Sequence, residues 1–439
     1  LSDLLQGVTL EIFGEGRSPG PYYEDGKLVS FGDAMSKLEK SGVSMNIASF
    51  LGAATTRILG VGYENRDATD SEMKKMKEIV TKSMEEGAMG IGSSLIYAPG
   101  DYASTQELIE LSKSASEYGG MYISHLRSEG AKLLEALDEL ITISREADIP
   151  AEIYHLKASR EPNWPKLDEV ISIVEDARAE GLQITADIYT YNASSTGLTG
   201  VIPTWVQEGG HDAWIKRMKD PSVRPRLLND IREQLAEQPP EGILMVGFNT
   251  PEMSKKYLAK TVAEAAKMRG QSPEEAIIDM VIEDNHRIQC IYFSMSEENI
   301  RKKIQLPWVS FCSDAGIYSD ISKSFRTHPR AFGSFIRVLG KYSRDENLFP
   351  LEEGIRRLTS YPAQNLKLKN RGMLKESFFA DVVIFNAEKV NDNATFEEPL
   401  QFSEGVDHVL VNGVPVLLDG EHTNKFSGRF VRGPGYINN

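Results

Sequence analysis

The strongest constraint on this chain is a rhythm in which short runs of strand-forming residues alternate with long amphipathic helical stretches. That pattern belongs to a parallel sheet with crossover helices, not to hairpins. Seven runs fit strands: 8–13, 43–50, 88–93, 121–125, 151–155, 183–189 and 309–313. Between them, "TQELIELSKSASEYGG" offers Thr105 as a helix cap and Gly119 as a stop. "KLDEVISIVEDARAEG" sets Leu167, Val170, Ile171 and Val174 on one face before Gly181 ends it. The four middle runs start about 30 residues apart, close to the repeat of a (β/α)8 barrel. The expected fold class is α/β, a TIM-like barrel apparently lacking its first strand.

Two segments break the rhythm. The 117 residues between Tyr191 and Val309 contain the helical "DPSVRPRLLNDIREQLAEQ" and the strand-like "GILMVGF" and "RIQCIYFSMS", which read as elaborations on the loop after the seventh strand. Beyond a last helix near 351–366 the texture changes to "ADVVIFNA", "DHVLVNGVPVLLDG" and "GRFVRG", with Asn412-Gly413 as a hairpin turn. The expected domains are therefore a barrel over 1–370, carrying an insertion at about 192–307, and a small β-sandwich over 371–439.

A hydrophobic content of 41% over 439 residues supports a substantial core. With 64 acidic against 49 basic residues, the net charge of −15 argues against nucleic acid as a partner. Two cysteines, Cys290 and Cys312, cannot build a disulfide framework, which favours a reducing, cytoplasmic location. No apolar run approaches the roughly 18 residues that span a membrane. A small-molecule substrate is the expected partner.

In such a barrel, functional side chains sit at the C-terminal ends of strands. "MYISHLRSEG" and "AEIYHLKASR" place His125 and His155 there, on adjacent strands, so their imidazoles can converge on one metal ion. Asp314 in "FCSDAG" also ends a strand, as a metal ligand, a general base or simply a helix cap. Glu15 lies just past the first run in "IFGEGRSPGP", between two glycines that let the backbone turn. Lys157 and Arg330 are both suited to an anionic substrate group, and the guanidinium to a two-point carboxylate clamp. His328 is a weaker ligand candidate, while His211, His286, His408 and His422 receive no role. Neither a phosphate-binding loop nor a GxSxG serine motif occurs.

These residues and the ordered blocks around them resemble the D-aminoacylase (N-acyl-D-amino-acid deacylase) family of the amidohydrolase superfamily. The similarity runs through "QGVTLEIFGEG", "GAMGIGSSLIYAPGDYASTQELIELSKSASEYGGMYISHLRSEG", "WVSFCSDAG", "HPRAFGSFIRVLGKY" and "LTSYPAQNLKLKNRGMLKESFFADVVIFN". The resemblance implies a metal-dependent amide hydrolase holding one or two divalent ions, zinc foremost, on a TIM-like barrel with a β-sandwich built from both chain ends. By similarity, His125 and His155 match the histidine ligands and Asp314 the catalytic carboxylate. Tyr97, Lys157, Tyr191 and Arg330 fall on substrate-contacting positions, although Tyr189 shares the strand end with Tyr191.

There are two departures from the family pattern. Where many members have a cysteine ligand, this chain reads Gly14-Glu15-Gly16-Arg17, so Glu15 is expected to replace the thiolate. The HxH pair of the first barrel strand is absent, since no two of the seven histidines lie two residues apart. The strand and the pair belong to one segment expected upstream of Leu1, so the chain is expected to be an N-terminally incomplete form of the enzyme. The competing readings are a cyclic-amide hydrolase or dipeptidase of the same superfamily, and a non-catalytic metal-binding relative.

Overall fold

The computed structural model describes residues 1–319, 321 and 325–438. Strand β1 (Leu10–Phe13) pairs in parallel with β2 (Asn46–Ser49), and after Phe50 the same segment resumes as Leu51–Gly52 to pair with β3 (Gly90–Ser94). Strands β4 (Met121–His125), β5 (Ala151–Ile153) and β6 (Ile184–Ile188) follow in parallel order. The chain then leaves this sheet to make an antiparallel one from β7 (Ser194–Gly197), β8 (Ile243–Gly247) and β9 (Gln289–Tyr292), with β9 in the middle. It returns as β10 (Val309–Phe311), parallel to β6. All seven runs read as strands from the sequence are thus parallel strands, in chain order.

The residues of β3, β4 and β6 are buried throughout, as expected of a parallel sheet covered on both faces. The covering helices begin where capping side chains allow. Ser104, not Thr105, caps helix Thr105–Ser116, because its hydroxyl accepts from the backbone N–H of Glu107. Gly119 and Gly181 take the left-handed conformations that let the chain turn after two of these helices.

Two strands stop short of their sequence limits. The run 151–155 is strand only to Ile153 and 309–313 only to Phe311, and His155 and Asp314 then adopt positive φ of 41° and 47°. Asp and His are among the non-glycine residue types that enter that region most readily. At His155 the turn is held by a backbone N–H donated to the Asp187 carboxylate of β6.

The main apolar core runs from Leu4 through Ile91, Tyr122, Ile153 and Val309 to Val409 and Val416, so it includes the C-terminal strands. A second core lies wholly between Leu198 and Tyr292 and packs Leu227, Ile231, Ile277 and Met280 together. At the C-terminus, β11 (Val382–Phe385), β12 (Val406–Val411), β13 (Val414–Leu418) and β14 (Glu421–His422) form a four-stranded antiparallel sheet. Asn412 and Gly413 make the β12–β13 turn with φ of 51° and 81°, the conformation that dipeptide favours. The tail reaches back to the parallel strands, where Phe430 bridges Ile47. Among the described residues, no helix is long and apolar enough to cross a membrane.

Candidate active site

The ends of β1, β4, β5, β6 and β10 meet at one face. Glu15 is carried there by a backbone that only glycine permits on either side. A side chain on Gly14 would lie 2.2 Å from the Phe50 carbonyl oxygen, and one on Gly16 would lie 2.5 Å from the Ser94 hydroxyl, with both φ values positive. The Ser94 hydroxyl donates to Glu15 Oε1 at 3.1 Å. The sequence G-E-G is therefore the steric solution for presenting a carboxylate between strands.

His125 closes β4, buried, with Nδ1 3.1 Å from the Leu126 carbonyl. A carbonyl only accepts, so Nδ1 carries the proton and Nε2 keeps its lone pair for the cluster. The His125 and His155 rings are 4.5 Å apart and nearly perpendicular. His155 Nε2 lies 3.7 Å from Glu15 Oε1. One ligand atom from each of Glu15, His125 and His155 falls within 4.8 Å of the others, the one such triad among the described residues. Tetrahedral zinc with nitrogen and oxygen donors sets ligand atoms roughly 3.3–3.5 Å apart. The Glu15–His155 spacing of 3.7 Å is close to that, and the triad draws in to hold an ion.

Beside this triad lies Glu129, which the sequence reading did not single out. Its Oε1 is 3.1 Å from His155 Nδ1 and 2.6 Å from Lys157 Nζ, and its Oε2 is 3.9 Å from His125 Nε2. Lys157 Nζ also lies 2.6 Å from the same Nδ1, so this edge of the His155 ring is held between an ammonium and a carboxylate. The only signal in the sequence was position, four residues past His125 in a βα loop.

The electrostatics follow from this crowding. Desolvation pushes the Glu15 carboxyl upward, but the hydrogen bond to His155, the charges of both histidines and Ser94 bring it below its ordinary value. Glu129 is also desolvated, yet Lys157 and the two histidines hold it well below the carboxylate range. Burial lowers His125. Burial and the neighbouring Lys157 oppose a charge on His155, but Asp314 and Glu129 outweigh them and raise it to about 9.

A cavity of about 780 Å³ meets the triad at Glu15 and includes Tyr97, Asp314 and Arg330 in its wall. Asp314 Oδ2 lies 2.6 Å from Arg330 Nη1. That contact is not aligned as a hydrogen bond, and the buried Nε of Arg330 has no partner, so the guanidinium keeps donors to give. Its face covers the Tyr189 ring at 4.5 Å, and Lys157 approaches the same ring at 5.6 Å. Tyr97 stacks edge-on against His125 at 5.5 Å and shares a 2.7 Å hydrogen bond with Thr196.

Two expectations are corrected here. Tyr191 does not join the group, because its hydroxyl donates to Asp392 at 3.0 Å and Arg337 covers its ring. The chain bends after β6, so the two-residue alternation of a strand no longer applies, and Tyr189 is the tyrosine that faces the histidines, 6.4 Å from His155. His328 is no ligand, since Nδ1 accepts the Arg330 N–H and Nε2 donates to the Ala193 carbonyl at 2.9 Å. Both nitrogens are used, and the ring is a buried spacer between Tyr189 and Tyr191.

Comparison with known proteins identifies the family. Residues 45–417 match the amidohydrolase family model. A D-aminoacylase of Alcaligenes xylosoxydans xylosoxydans is 30% identical over 96% of this chain and 78% of its own length. An N-acyl-D-glutamate deacylase from the same source is 30% identical over 90% of this chain and 71% of its own length. The crystal structure of N-acyl-D-glutamate deacylase from Bordetella bronchiseptica, complexed with zinc and a phosphonate mimic of the tetrahedral intermediate, superposes with a TM-score of 0.80 at 25% identity. It covers 98% of this chain and 84% of that one. With strand-end histidines, a loop carboxylate and a match over most of its length, this chain belongs to the amidohydrolase family.

Proposed function

We propose that this protein is a zinc-dependent hydrolase that removes the acyl group from N-acyl-D-amino acids. The observation that carries the reading is the Glu15–His125–His155 triad below a cavity whose wall also holds Asp314 and Arg330. One carboxylate and two imidazoles suit zinc and leave an open coordination position. Zinc bound there supplies Lewis acidity to the amide carbonyl and lowers the pKa of water.

The chain's own groups do the rest. Asp314 takes a proton from the attacking water as the C–O bond forms, and then passes it to the amide nitrogen as the acyl C–N bond breaks. Arg330 offers its unpaired Nε and, with Lys157, holds the substrate carboxylate. Tyr97, in the cavity wall, contacts the substrate, and Tyr189 takes the place first expected for Tyr191. Glu129 and Lys157 together hold His155 at its Nδ1 edge.

The finer architecture in this reading is a TIM-like (β/α)8 barrel over 1–370 with an insertion at about 192–307, followed by a β-sandwich domain over 371–439. Seven parallel strands in order, the separate core from Leu198 to Tyr292 and the C-terminal antiparallel sheet support it. Two unpaired cysteines support a cytoplasmic location.

The test is a panel of N-acetyl-D- and N-acetyl-L-amino acids, D-dipeptides and dihydropyrimidines given to zinc-loaded protein. Release of D-amino acids is expected, with Asp314→Asn lowering kcat by about 10²–10⁴-fold while zinc content is retained. Hydrolysis of rings without release of D-amino acids would overturn the reading.

A further inference from the structure

Two lysines are buried among the described residues, Lys157 and Lys303, and they meet at the same turn. Lys157 pairs with Glu129, but Lys303 has no part in the chemistry derived above. It ends helix Glu297–Lys303, is 1% exposed and pairs with no described carboxylate. Burying an amine is costly where an apolar side chain would fill the same space. Burial and the charge of Lys157 lower its pKa to about 7, with Glu129 and Cys312 acting the other way. One contact offsets the cost: Nζ donates to the Leu156 carbonyl at 2.5 Å.

That carbonyl belongs to the turn that leaves β5. Strand β5 ends at Ile153, His155 takes its φ of 41°, and the buried backbone beyond must find partners outside a sheet ladder. The His155 N–H donates to the Asp187 carboxylate, the Leu156 N–H donates to the Asp187 carbonyl at 2.9 Å, and Lys303 takes the Leu156 carbonyl. The Leu156–Lys157 peptide plane lies between a proposed metal ligand and a proposed substrate-binding cation, so turning it re-aims both side chains. Lys303 is itself fixed. Asn299 of its helix donates to the Trp164 carbonyl at 3.0 Å, Trp164 Nε1 donates to the Ser294 carbonyl at 3.0 Å, and Arg357 Nη1 donates to the Ile304 carbonyl at 2.6 Å.

We propose that Lys303 is a positioning residue for both halves of the site: by donating to the Leu156 carbonyl it fixes the turn from which His155 reaches the metal ion and Lys157 the substrate carboxylate. This rests on the deacylase reading and deepens it. The amine donates whether it carries two protons or three, so the tie holds through neutral pH.

Lys303→Met fills the same space without a donor. Replacing a buried cation by an apolar side chain is often neutral for stability, so the urea midpoint is expected to stay close to that of the wild type. Zinc affinity, read by competition with a chelator, is expected to fall about 10–100-fold. At saturating zinc, KM for N-acetyl-D-leucine should rise about tenfold while kcat changes by less than about threefold. Lys303→Gln keeps an N–H donor on a shorter reach and should fall between. Asp187→Asn loosens the other end of the same turn, so the zinc loss of the double variant with Lys303→Met should be smaller than the product of the single losses by about threefold or more.

Wild-type zinc affinity and KM in Lys303→Met, zinc loss only in step with a lowered urea midpoint, or single losses that simply multiply overturn the proposal. Failure of both Lys303 variants to fold makes the lysine a core residue alone and overturns it too. Weakened zinc binding in Lys303→Met, with no D-amino acid released by the wild type, overturns the deacylase reading and leaves the positioning of His155 standing. Release of D-amino acids by an enzyme whose zinc affinity and KM ignore Lys303 does the reverse.

Discussion

His155 is where the opposing forces of the site meet. Burial and Lys157 oppose a charge on it, while Asp314 and Glu129 favour one, and the carboxylates win, raising it to about 9. A group whose folded pKa lies above its unfolded value of about 6.5 adds stability that is complete below pH 6.5 and is lost as the pH rises through the folded value. The metal-free protein should therefore lose stability between about pH 6.5 and 9. Zinc binding should strengthen over the same window, because Nε2 must give up its proton to ligate. Urea midpoints and zinc titrations in buffers of different ionisation enthalpy check this, and zinc affinity independent of pH would refute it. Glu129 tests the positioning argument separately. Glu129→Gln should weaken zinc binding about 10–100-fold, read by competition with a chelator. Unchanged affinity would reduce the Glu129–His155 contact to packing. Nothing in "SHLRSEG" distinguishes Glu129 from an exposed loop acid, because its role depends on a residue from the next strand.

The loops that follow the strands are as constrained as the strands themselves. Gly14 runs against the Phe50 carbonyl at φ 105°, a conformation and a clearance that no other residue tolerates. Gly14→Ala should cost about 1–3 kcal/mol in a urea titration and also reduce zinc content, since Glu15 moves with the turn. An unchanged midpoint together with full zinc occupancy would show that the turn is not what presents Glu15. The early ends of β5 and β10 obey the same logic. His155 and Asp314 reach the site from left-handed turns held by neighbours, so a reading based on strand-forming residues extends both strands by two residues too many. Tyr191 shows the consequence. Two-residue alternation places it beside Tyr189, and the bend after β6 turns it toward Asp392 instead.

The molecule divides the work of the site between two cores. The ligands come from the last residue of β4 and from the loops after β1 and β5, while Thr196, Arg287 and Gln289 of the insertion build part of the cavity wall. Ile278 lies fully buried in the insertion's own core, so Ile278→Ala should cost about 2–5 kcal/mol there. Its KM should rise while zinc is retained, and zinc loss in step with KM would show that the two cores do not separate. The strand order, the histidines at strand ends, Glu15 between its glycines and Asp314 after β10 were all legible in the sequence, because each depends on neighbours close along the chain. The contacts of Glu129, the turning away of Tyr191 and the reach of Lys303 to Leu156 were decided only by the folded chain. They join residues brought together by packing between distant segments, and local pattern carries no information about such distances.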